Sequence, residues 1–67
     1  LRDELLIYRL NYATNKNIAE NRVFTDKMLD RIVIEKPITI AELKKIVSAN
    51  TAYYCGNEII STVAKYI

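Results

Sequence analysis

Histidine and tryptophan are absent from the 67 residues, and glycine, proline, cysteine and methionine occur once each. Each gap excludes some chemistry. Without histidine there is no Ser–His or Cys–His nucleophile pair and no imidazole base. Lone Cys55 cannot close an internal disulfide, and with no histidine a structural zinc ion has almost no ligands. One glycine cannot build a phosphate-cradling loop. No apolar run approaches the 18 residues of a membrane-spanning helix. Leu1-Arg2-Asp3-Glu4 carries neither an initiator methionine nor a signal-peptide pattern. The reading is a single domain over residues 1–67, excised from a longer protein. It is expected to be intracellular, where a lone thiol fits a reducing compartment, with no metal, cofactor or membrane partner. An independent enzyme is nearly excluded.

The chain is 51% hydrophobic and 27% charged. That is too apolar for a disordered segment. The core must be thin at this length, and packing alone must hold it. The formal net charge of +2 permits a nucleic-acid partner without demanding one.

Helical periodicity organises the chain. Leu1, Leu5, Tyr8 and Tyr12 share one stripe, and Leu6, Leu10 and Ala13 a second. Arg2, Arg9 and Lys16 recur every seven residues as a basic line between them. This helix is expected to end near Asn15-Lys16-Asn17. Residues 18–24 show no helical period and read as a loop with Ile18, Val23 and Phe24 turned inward. Thr25 is an N-cap for a helix from Asp26 to Lys36, with Met28, Leu29, Ile32 and Val33 on its inner face. Pro37 stops that helix. Thr39-Ile40-Ala41-Glu42 is a capping box opening a short helix, with Ile40, Leu43, Ile46 and Val47 inward and Lys44 and Lys45 outward. Ser48 to Thr51 carry turn and cap character, Tyr53-Tyr54-Cys55 add a turn, and Gly56-Asn57 restart the chain into a final helix. That helix has Ile59, Ile60, Val63 and Ile67 on one side. The expected fold is all-α, a compact bundle of about five short helices. Its expected centre is Leu5, Tyr8, Tyr12, Phe24, Leu29, Ile32, Leu43, Ile46, Ile60 and Val63.

Val23-Phe24-Thr25-Asp26 with Leu29, then Pro37-Ile38-Thr39, Glu42-Leu43 and Ile46, stand in one ungapped register. With Leu5, Tyr8-Arg9 and Tyr12-Ala13 upstream, and Tyr54, Gly56 and Ile59-Ile60 downstream, the chain resembles the HRDC domain, the helicase-and-RNase-D C-terminal module. It departs where Ser48-Ala49-Asn50 replaces the family's Gly-Val-Gly-like hairpin. Leu6 and Leu10 also stand where relatives often carry basic residues. The resemblance implies a SAM-like orthogonal bundle with no catalytic residues. It further implies an accessory domain of a RecQ-type ATP-dependent DNA helicase, which binds single-stranded or junction DNA weakly or contacts neighbouring helicase domains. Two alternatives stand beside it: a docking module that touches no nucleic acid, and the corresponding domain of an RNase D-like exonuclease.

The candidate nucleic-acid residues are Arg22, Lys27 and Arg31, with Lys16 nearby. They are expected around one helix start, where backbone amides favour a phosphate. A solvated face, with Arg31 balanced by Glu35 and Lys27 by Asp30, is the plainer account of the same residues. Leu6 and Leu10 are the candidate docking residues, with at least one expected to be exposed. Tyr8 and Tyr12 are expected to pack; Tyr53 and Tyr54, beside the irregular turn, are left unsettled between packing and exposure, with stacking on a base by one of them the lesser reading. Arg9 is expected to lay its stem on the core, and Cys55 to be a small buried hydrophobe.

Overall fold

In the computed structural model, which describes residues Leu1–Ile67, the chain forms five helices and no strand. They are α1 (Arg2–Lys16), α2 (Glu20–Val23), α3 (Asp26–Glu35), α4 (Ile40–Leu43) and α5 (Ala49–Ala64). No helix is long and apolar enough to cross a membrane.

Local rules set most of the boundaries. Asn17 adopts a left-handed conformation (φ 55°) and closes α1, its N–H and that of Ile18 reaching back to Thr14 and Ala13. Hydroxyl caps start three helices: Thr25 accepts from Met28 N, Thr39 from Glu42 N and Ser48 from Thr51 N, each at 3.2 Å. Glu42 completes the second cap by accepting from Ile38 N and the Thr39 hydroxyl. Lys36 takes a left-handed conformation (φ 48°) directly before Pro37, which ends α3 one residue earlier than its periodicity suggests.

Leu5, Phe24, Leu29, Ile32, Leu43, Ile59 and Val63 fill the centre, joined by Cys55 and by small Ala13 and Ala52. Tyr8, Tyr12 and Ile60 were expected there but lie half-buried at its rim. Phenol oxygens need a polar outlet, so the rings pack while their edges stay near solvent.

Four further expectations are corrected. Residues 20–23 form a helical turn rather than a loop, because one turn is too short to show a period. Ile18 turns outward. Gly56 does not restart the chain. It lies inside an unbroken α5, where Cβ-free space admits α4: a methyl there would stand 2.7 Å from Ile40 Cδ1. Ile67 lies beyond the end of α5 and is exposed.

Two of the three cations in the basic line on α1 are consumed by packing. Arg2 pairs with Asp30, and Arg9 donates to the Asp26 carboxylate at 2.9 Å and to the Phe24 carbonyl at 3.1 Å. These contacts order α3 antiparallel to α1, because positions 2 and 9 meet positions 30 and 26. Glu20 stands 3.6 Å from Arg9 Nε, which is buried without a hydrogen bond. The Thr51 hydroxyl donates to the Val23 carbonyl at 2.6 Å and ties α5 to the end of α2. At the other end, the Tyr66 hydroxyl donates to Glu4 and Lys65 stands 3.6 Å from the same carboxylate. The Tyr66 bond holds the Glu4 carboxyl below its ordinary pKa.

Gly56→Ala sets two effects against each other. Alanine gains about 1 kcal/mol of helix propensity over glycine. Its methyl must displace the tip of Ile40, a half-buried side chain with an open groove beside it. The expected net change in a urea titration is within ~1 kcal/mol of zero, whereas Gly56→Leu should destabilise by ~1–3 kcal/mol through overpacking. A large loss with alanine would show that Ile40 cannot move.

Candidate nucleic-acid interface

The end of α1, the turn of α2 and the first half of α5 enclose a cleft of about 130 Å³. Tyr12, Ile18, Arg22, Asn50 and Tyr54 form its walls over buried Thr51 and Cys55. Their positions follow from local structure. The Asn17 cap swings the chain from α1 into α2, which delivers Arg22 outward while Val23 enters the core. The Ser48 cap starts α5 early enough to set Asn50 and Tyr54 one turn apart on one face.

Lys16 stands over the Tyr12 ring, its Nζ 5.8 Å from the centroid, a cation–π arrangement. Tyr12 packs obliquely on Tyr8 at 6.1 Å. Burial, with Cys55 beside them, pushes both phenols above their ordinary pKa, so they remain neutral donors at physiological pH. The cleft therefore combines one cation, Arg22, with a carboxamide and two tyrosine rings, and a second cation, Lys16, stands against the Tyr12 ring. None of its wall residues carries a carboxylate.

The four expected binding residues divide between two places. Arg22 lines the cleft with Tyr12, Lys16 stands over the Tyr12 ring without lining the cleft, and neither enters an ion pair. Lys27 and Arg31 lie on α3 and do not line the cleft. Lys27 is exposed and unpaired, since Asp30 turns to Arg2 instead. At the start of α3 the Thr25 hydroxyl and the Asp26 carboxylate already occupy the positive end of the helix. Arg31 is engaged with Glu35 at 2.7 Å and with the Lys45 carbonyl at 3.2 Å, which fastens α3 to the turn after α4.

Tyr53 and Tyr54 are both exposed, at 81% and 67%, and meet edge to face at 4.9 Å. Asn50 and the wall role of Tyr12 escape a reading of the sequence. The usable signal is the Tyr53-Tyr54 pair, which follows the capping Ser48 in the second turn of its helix, but which cleft it faces depends on where α1 and α2 end. Leu10 on α1 is 50% exposed, Leu6 is half-buried, and Ile7 is exposed beside them. The expectation that at least one of the two leucines faces solvent is met. No group of three or more acidic or cysteine side chains could hold a metal ion.

No curated protein and no solved structure matches the chain. A family model does, over residues 1–63, and its description is the HRDC domain.

Proposed function

Because the chain belongs to the HRDC domain family, whose domains are non-catalytic accessory modules of helicases and RNase D, we propose that it is an auxiliary binding module for single-stranded nucleic acid in a RecQ-type ATP-dependent DNA helicase. An intracellular location goes with that reading. The observation that carries it is the cleft in which Arg22 stands beside Tyr12 and Tyr54, with Lys16 over the Tyr12 ring. Cations with open aromatic faces are what sequence-tolerant strand binding uses: the charges hold phosphates and the rings stack bases. Lys27, exposed and unpaired on α3, is taken as a third phosphate contact. With few contacts the affinity is weak and salt-dependent.

Titration with a single-stranded oligonucleotide at low salt, followed by amide chemical shifts, tests this. Shifts are expected at Lys16, Arg22, Asn50 and Tyr54. Three phosphate contacts give a log–log salt slope of about −2. Arg22→Glu should weaken binding by about tenfold or more without altering stability, since Arg22 is exposed and holds no fold contact. Absence of shifts at low salt, or shifts confined to the last turn of α5, overturns the reading.

A second reading, docking of a neighbouring domain, is favoured by the exposed Ile7 and Leu10 on α1. It predicts that Leu10→Lys disturbs association with the parent chain and leaves strand binding unchanged.

A further inference from the structure

A second depression, of about 560 Å³, lies between α4 and α5 on the other side of the tyrosine pair. We propose that it is a second nucleotide site for the same single strand. This rests on the nucleic-acid reading of the cleft and extends it to a surface that the cationic residues Lys16, Arg22, Lys27 and Arg31 do not mark.

Packing explains why the depression exists. Gly56 lets α4 approach α5 at Ile40, and the small side chains of Ala49 and Ala52 leave the floor low. The lining then selects a ligand. Lys44 is its one charged side chain, it enters no ion pair, and no carboxylate faces it. An anion is favoured there. Tyr53 presents an exposed ring braced by Tyr54 at 4.9 Å. Asn50 and Asn57 lie two turns apart on the same face of α5 and offer amide donors and carbonyl acceptors. An aromatic face, two carboxamides and one ammonium match a base plane, a base edge and a phosphate. An apolar ligand would leave the asparagines and the lysine unused.

Continuity joins this groove to the cleft. Asn50 lines both, and consecutive Tyr54 and Tyr53 face the cleft and the groove respectively. The tyrosines form a ridge between the two depressions, so one strand crossing it places a base on each side. Bases in a duplex are already stacked on both faces, so only a single strand can use such a ridge.

Fluorescence anisotropy with an oligothymidylate of roughly ten nucleotides, comparing the unaltered chain with Tyr53→Ala, Lys44→Glu and Arg22→Glu, decides it. Tyr53→Ala is expected to weaken binding about tenfold. Lys44→Glu is expected to weaken it and to flatten the salt slope by about 0.7. Both side chains are exposed, so urea midpoints should not move. Amide shifts at Ala49 and Asn57 should accompany binding. Full affinity in Tyr53→Ala and Lys44→Glu, with loss in Arg22→Glu, overturns the groove and leaves the cleft standing. No binding by the unaltered chain overturns both. Capture of an acidic peptide in the groove, lost in Lys44→Glu, with no strand-induced shift at Asn57, assigns the groove to a protein partner and overturns it as well.

Discussion

Replacing Leu43 by alanine should destabilise the domain by ~2–5 kcal/mol, the range for emptying a fully packed leucine site. Leu43 is wholly buried and is the only buried residue of α4. Its Cδ2 also lies 3.6 Å from the space beside Gly56. A helix of four residues has no stability of its own, so α4 is held through this side chain and the Thr39 cap. Stabilities near ~0.05–0.15 kcal/mol per residue make the loss comparable to the whole for a chain this short. A urea midpoint in the variant should fall steeply or vanish. A loss below ~1 kcal/mol would mean that α4 is anchored elsewhere, by Ile46 and Val47.

Arg9→Ala should also be strongly damaging, at ~2–4 kcal/mol. Arg9 is 7% exposed, and its guanidinium donates to the Phe24 carbonyl and lies 5.5 Å from the centroid of the Phe24 ring. Truncation orphans a buried carbonyl, which costs ~1–3 kcal/mol, and removes the packing of the stem. The ion pair with Asp26 contributes little, because Asp26 is largely exposed and water screens it. Asp26→Asn is therefore expected to change stability by less than ~1 kcal/mol. If Asp26→Asn matched Arg9→Ala in a urea titration, the charge and not the carbonyl bond would be the reason Arg9 is buried.

What could be read from the sequence follows the range of each interaction. Thr25 and Thr39 act on amides three residues ahead, so their helix starts are visible locally, and the α3 stripe of Leu29 and Ile32 needs only periodicity, whereas Ser48 reads as turn and cap without showing that a 16-residue helix follows. Gly56 misleads for the opposite reason. A glycine in a helical pattern reads as a break, and its actual role is set by Ile40, sixteen residues away. Arg2 and Arg9 look like a solvated basic line until α3 brings Asp30 and Asp26 to them. The same limit governs the candidate site. Arg22, Lys27 and Arg31 are close in sequence, but Arg31 reaches forward to Lys45 while Arg22 faces Tyr54 on α5. The tyrosine pair could be noticed as unsettled. That it divides two depressions depends on the placement of α1, α2 and α4 around it.

The bond between Glu4 and Tyr66 has a mechanical meaning. It joins the first turn of α1 to the residues just after α5, with Lys65 on the same carboxylate. Tension applied at these two points pulls the helix ends directly apart, so the seam opens one contact at a time rather than sliding as a unit. The first bonds to carry the load are exposed, and exposed ion pairs resist little. Leu5 and Val63 are the first buried residues behind them. Pulled this way, the domain should yield by peeling from that seam, while the Thr51 tie to Val23 at the far end of α5 still holds.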